Sequence, residues 1–143
     1  MYGLLEDQFH AYFTEAERRK GVTGTNLIRL LEMRLDNVVY RSGFANSRNQ
    51  ARQLVRHGHF QLNGRKVDIP SHQIRVGDVI QVKERSRKIP VIQEALEVVD
   101  RRGIPDWLEN DNENFLSTIK AEPQREHITF PVNEHLIVEL YSK

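Results

Sequence analysis

The sequence predicts an α+β fold in which several amphipathic helices accompany one small antiparallel sheet. Apolar residues recur at helical spacing through most of the N-terminal half and again after Pro90. Past Gly58 the period changes to alternation around an Asn63-Gly64 pair, the preferred centre of a two-residue hairpin turn. The cations are also segregated. Between Asp36 and Asp68 there is no carboxylate, while Arg41, Arg48, Arg52, Arg56, Arg65 and Lys66 lie there. That window holds +6 in a chain whose net charge is +1. Interleaved signs solubilise a surface equally well, so concentrating one sign is the pattern a polyanion partner requires.

Leu4, Leu5, Phe9, Tyr12, Phe13 and Ala16 give residues 4–20 a helical period that ends in Arg18, Arg19, Lys20 and Gly21. A second helix is predicted from Thr25 to Ser42, with Leu27, Leu30, Leu31, Leu35, Val38 and Val39 on one face and Gly43 as its stop. Ser47 followed by Gln50 is a capping-box signature for a third helix ending at Gly58. On it Arg48, Arg52 and Arg56 stand at i, i+4 and i+8, beside an apolar face of Ala51, Leu54 and Val55. With no Glu or Asp at i±4, the stripe reads as three guanidinium groups open to phosphate.

His59–Leu62, Asn63-Gly64 and Arg65–Val67 read as a β-hairpin, Val76–Asp78 as a turn and Val79–Val82 as a strand. Pro90 opens a further helix stopped by Gly103, with Ile92, Ala95, Leu96 and Val99 inward. Residues 104–126, rich in Asp, Asn, Glu and Pro, read as mostly loop with a short turn near Trp107, which anchors it. The apolar segment Val132–Tyr141 fits a short helix capped by Asn133, or a strand.

The composition narrows the function classes. No apolar run reaches the roughly 18–20 residues of a membrane helix. With no cysteine there is no disulfide or thiolate zinc site, and a reducing cytosol is the default compartment. No glycine-rich phosphate loop or nucleophile–base pair is visible, and no segment is long enough for a separate catalytic fold. His57-Gly58-His59 can chelate, but no third ligand follows at a recognised spacing. Hydrogen bonding to RNA, or plain cap and strand roles, suit these histidines better. Tyr40 and Phe60 can stack on bases, although core packing is the expected role at such positions.

The runs RLDNVVYRSGF, SRNQARQLVRHGHFQLNGRKVDIPSHQI and VGDVIQV resemble the S-four RNA-binding motif, a helix–helix–small-sheet module also called the alpha-L motif. YGLLEDQF, KGVTGTNLIRLLEMRLDNVVYR and the ending NEHLIVELYSK extend the likeness to the bacterial small-subunit ribosomal protein S-four family. The likeness spans nearly the whole chain and is weakest over 104–130. The chain starts where that family's basic N-terminal extension would end, and its 110–126 stretch is more acidic than the family pattern.

The resemblance implies a module at 31–85 inserted into a mainly helical scaffold formed by 1–30 and 86–143. It implies a non-enzymatic structural role in the small ribosomal subunit, binding 16S ribosomal RNA early in assembly, with no cofactor. The third and fifth small-subunit proteins are the expected protein partners, and the protein's own messenger a further RNA target. The other reading is a stand-alone RNA-binding regulator or quality-control protein built on the same module. Candidate RNA-binding residues are Arg41, Ser47, Arg48, Arg52, Gln53, Arg56, His57, His59, Asn63, Arg65, Lys66 and Lys83. Arg41 has an alternative role complementing the end of its helix, and Ser47 one as a cap.

Overall fold

The computed structural model describes residues 6–19 and 23–123. They fall into two compact units, one holding the N-terminal helices and the other residues 33–122. In the first, α1 (Glu6–Arg18) and α2 (Thr23–Glu32) bury Phe13, Ala16, Leu27, Leu30 and Leu31 against each other. The Asn26 amide donates to the Ala16 and Arg19 carbonyls at 3.3 and 3.4 Å, satisfying acceptors that the end of α1 leaves open.

The helix expected from Thr25 to Ser42 is interrupted. After Glu32 the chain becomes extended at Arg34 (φ −71°, ψ 144°), and α3 (Leu35–Arg41) begins afresh. The backbone groups at the break are used elsewhere: Ile74 N–H donates to Met33 O, Leu35 N–H to His72 O and Asp36 N–H to Pro70 O. Apolar periodicity continues across the break, so the sequence alone reads as one helix.

α4 (Arg48–Arg56) starts as its signature predicts. Ser47 Oγ accepts from Gln50 N–H at 3.0 Å, and Gln50 Oε1 accepts from Asn46 N–H at 2.7 Å. It ends in a Schellman motif, with Gly58 N–H bonded to Val55 O and His59 N–H to Leu54 O. α3 ends the same way at Gly43, through Gly43 N–H to Tyr40 O and Phe44 N–H to Val39 O.

The sheet is larger than the hairpin and single strand foreseen. β1 (Phe60–Leu62), β2 (Arg65–Val67), β3 (Val79–Val82), β4 (Leu108–Asp111) and β5 (Leu116–Ile119) form one antiparallel sheet in the order β2-β1-β3-β5-β4. The hairpin turn is as expected: Asn63 and Gly64 sit at φ 52° and 81°, with Leu62 opposite Arg65. The 104–126 stretch, expected to be mostly loop, supplies β4 and β5. Their residues are largely polar, and Asp and Asn are depleted in strands, so periodicity and propensity both conceal them. Pairing with β3 overrides the weak local preference, as Val79 faces Thr118 and Gln81 faces Leu116.

A 3₁₀ turn (Glu84–Ser86) leads to α5 (Pro90–Arg102), which has Pro90 in its first turn and Gly103 at its end, as predicted. Leu35, Phe44, Phe60, Ile80, Ile92 and Trp107 form the centre of a continuous core. Trp107 is 1% exposed, so it anchors the β4–β5 hairpin within that core. Residues 86–122 thus share the compact unit of the preceding module. The helix or strand expected over 132–141 lies outside the described residues.

The end of α3 packs closely against α5. A Cβ on Gly43 would lie 2.5 Å from Val99 Cγ1, and Gly43 has φ +89°. Gly43→Ala should therefore cost about 2–4 kcal/mol from left-handed strain plus overpacking, measured by urea unfolding. Combined with Val99→Ala, the loss should be smaller than the sum of the two single losses, because the clash is removed. Strict additivity would contradict this packing account.

Candidate nucleic-acid interface

The cationic window divides into a buried part and an exposed part. Asp36, in the first turn of α3, is 2% exposed and accepts a two-pronged bond from Arg34, at 3.1 Å from Nε to Oδ1 and 3.0 Å from Nη2 to Oδ2. Arg52 Nε adds a third charged contact to Oδ2 at 2.9 Å, and Asn37 N–H a further bond to Oδ1 at 2.7 Å. Arg52 Nη1 also reaches Asn49 Oδ1 at 3.2 Å, and its side chain is only 14% exposed.

The stripe Arg48–Arg52–Arg56 therefore does have a carboxylate, supplied by the preceding helix. This corrects the expectation of three open guanidinium groups. Spacing within one helix cannot reveal a counter-ion contributed by another element. Arg48 also turns inward, with Nε donating to Asn37 Oδ1 at 2.8 Å and its guanidinium 4.9 Å from the Tyr40 ring centroid. Arg41 is 8% exposed, beside the same ring at 5.8 Å. Tyr40 is only half-buried, and its ring is surrounded by guanidinium groups, leaving it poorly placed to stack on a base. Phe60 is fully buried, 6.0 Å from the Phe44 ring, and belongs to the core.

Arg56, His57, Arg65 and Lys66 are exposed, and Lys83 is half-exposed at the end of β3. Arg56, Arg65, Lys66 and Lys83 have no ion pair among the described residues. The Schellman turn brings part of this set together over Gly58. From the position a Cβ would occupy there, Lys66 Cε is 3.3 Å away, Lys66 Nζ 3.8 Å and Lys83 Nζ 4.0 Å. The bare glycine thus leaves room for two ammonium groups beside the end of α4. The His57 and His59 rings meet edge to face with centroids 6.2 Å apart, and His59 Nδ1 lies 2.9 Å from Ser86 Oγ. Gln53 is exposed on α4.

Two candidates serve the local fold. Ser47 caps α4. Asn63 pins the hairpin, its amide donating to Asp78 Oδ1 at 3.0 Å while its Oδ1 accepts from Val79 N–H at 2.9 Å. Two participants were not foreseen. Asp36 bounds the carboxylate-free window in the sequence, but nothing local says that it folds back on Arg52. Arg102, 4.7 Å from the Tyr40 ring centroid, lies far along the chain from the window.

His59 responds to its burial first and to the cationic field second. Partial burial, then the charges of His57 and Lys83, push its pKa below the usual 6.5. The unfolded chain then binds this proton more readily, so stability attributable to His59 falls as pH drops below 6.5 and is retained above it. An NMR titration of the His59 ring should give a midpoint below 6.5, and Lys83→Gln should move it upward. A midpoint at or above 6.5 would contradict the lowering, and a midpoint unmoved by Lys83→Gln would show that Lys83 adds nothing to it.

Comparison with known proteins agrees with this geometry. The family model described as S4 domain matches residues 33–80, and that described as ribosomal protein S4/S9 N-terminal domain matches residues 1–32. The small ribosomal subunit protein uS4 of Nitratidesulfovibrio vulgaris (strain DP4) is 72% identical over 143 residues, covering 100% of this chain and 69% of the relative. The uS4 proteins of Desulfovibrio desulfuricans and Geobacter sp. (strain M21) are 69% and 64% identical over the same shares. The N-terminal helices, the Arg-bearing helix pair and the Asn-Gly hairpin thus fall within matched segments, and the chain belongs to the small ribosomal subunit protein uS4 family.

Proposed function

We propose that the chain is a structural, non-catalytic component of the small ribosomal subunit that binds 16S ribosomal RNA early in assembly. The observation that carries this reading is the exposed cationic surface around Gly58, where Lys66 and Lys83 converge beside Arg56 and the two histidines. Cations without carboxylate partners can neutralise phosphates and release counterions, while folded RNA is selected mostly by shape. The uS4 name of the relatives aligned over the whole chain favours a ribosomal role over a stand-alone regulator.

In this reading Arg56, His57, His59, Arg65, Lys66 and Lys83 meet RNA directly, with Gln53 at the margin. Arg48 and Arg52 hold α4 to α3, Arg41 lies buried at the end of α3, and all three lend their charge to the field; Ser47 and Asn63 fix the two turns that present the cations. The small-subunit proteins numbered third and fifth are the proposed protein neighbours, and the chain's own messenger a second RNA target. Work in the cytoplasm, on the ribosome, follows from that role. The division of the sequence into a module at 31–85 and scaffold segments 1–30 and 86–143 stands as a proposal alongside the structural unit 33–122.

Binding to a 16S five-prime-domain RNA should depend steeply on salt. Four phosphate contacts give a slope of log affinity on log salt of about −3, so affinity should drop about 50- to 100-fold between ~50 and ~200 mM salt. Charge reversal at the distant Glu109 and Glu113 should not weaken it. Binding that is insensitive to salt would exclude this surface as the RNA contact.

A further inference from the structure

The Tyr40 ring brings together cations from three elements. Arg48 on α4 lies 4.9 Å from its centroid, Arg102 on α5 4.7 Å, and Arg41 on α3 5.8 Å. Gathering like charges around one ring is costly, and the ring's negative face offsets only part of that cost. Arg48 is committed to Asn37 Oδ1, and Arg41 is buried. Arg102 differs from both. It is exposed, and it has no ion pair among the described residues.

Its place is nevertheless fixed. Arg102 Nη2 donates to the Tyr40 carbonyl at 3.1 Å, and three residues earlier on α5 Val99 packs against Gly43. One nitrogen of the guanidinium is held by the backbone of α3, and its central carbon lies over the ring. Among the described residues the remaining N–H donors of the fork have no partner. A cation held this way has already lost much of the rotamer freedom that a free surface arginine would surrender on binding.

We propose that Arg102 is an additional phosphate-binding residue, held by Tyr40, which extends the RNA-binding surface from the matched S4 segment at 33–80 onto α5. The proposal rests on the RNA-binding reading above and adds to it a contact from outside the module. The ligand atoms it takes are the non-bridging oxygens of a backbone phosphate, which suit a planar fork.

The test measures affinity of the full chain for 16S five-prime-domain RNA across a salt series, with urea unfolding in parallel. Arg102→Ala should lower affinity about fivefold and reduce the salt slope by about 0.7–0.9, the loss of one phosphate contact. Arg102→Lys keeps the charge and should keep the slope. An arginine serving only to close the end of α3 would change the unfolding midpoint and leave the slope alone; that outcome overturns the proposal. In the wild-type chain, the Arg102 Nε–Hε NMR resonance should shift on RNA addition, a readout that needs no variant, and an unmoved resonance equally overturns it. If Arg56→Gln lowers the slope while Arg102→Ala does not, the RNA reading stands and the α5 extension fails. If the wild-type chain shows no salt-dependent binding, both fail.

Discussion

The buried carboxylate of Asp36 organises the cationic part of this fold. Two guanidinium groups converge on it, Arg34 through a two-pronged contact and Arg52 through Nε, and a backbone N–H completes its hydrogen bonding. A lone buried carboxylate is costly, whereas one so fully bonded is tolerated, and losing one guanidinium removes a charged hydrogen bond while the other stays paired to it. Arg34 reaches Asp36 because the chain is extended between α2 and α3, so the helix break and the ion cluster belong together. Arg52 in turn fixes the turn of α4 that faces α3. That orientation leaves Arg56, one turn further on, exposed.

The other end of α3 is secured by segments far along the chain. Asn110 on β4 donates to Ser42 O at 2.7 Å, Ser42 and Ser117 share a 2.9 Å hydroxyl contact, and Arg102 reaches Tyr40 O. Here α5 and the β4–β5 hairpin complete the polar bonding of a helix end that the motif itself leaves open. The acidic stretch after residue 104 is therefore part of the framework of the RNA-binding unit, with its carboxylates on the β4 side and the cations around Gly58. A rigid support matters for recognition by shape, because cations held in fixed positions select one arrangement of phosphates over others.

Much of this was legible locally. The Ser47/Gln50 cap, the Asn63-Gly64 turn, Pro90 and Gly103 each follow from a residue's own backbone chemistry, and each lies where it was expected. What escaped was what two distant segments do together. The break at Arg34 is made by bonds to residues 70–74, and strands β4 and β5 exist because β3 offers them an edge. The candidate site shows the same division. The window from Asp36 to Asp68 located the cations, but only the fold distinguishes Arg52, paired with Asp36, from Arg56, open to solvent. Arg102 could not be reached from sequence, since a carbonyl and a ring 62 positions away hold it.

The central claim is this division of one charge stripe into a structural and a binding half. Its most direct test is the paired measurement of urea stability and RNA salt slope for Arg52→Gln and Arg56→Gln. Arg52→Gln should lose about 1.5–3 kcal/mol of stability through one lost charged hydrogen bond to Asp36, which Arg34 still pairs, with the salt slope of the folded protein retained. Arg56→Gln should stay within about 0.5 kcal/mol of wild type while its slope falls by about 0.7–0.9. Full stability with a reduced slope in Arg52→Gln, or an unchanged slope in Arg56→Gln, would contradict the account.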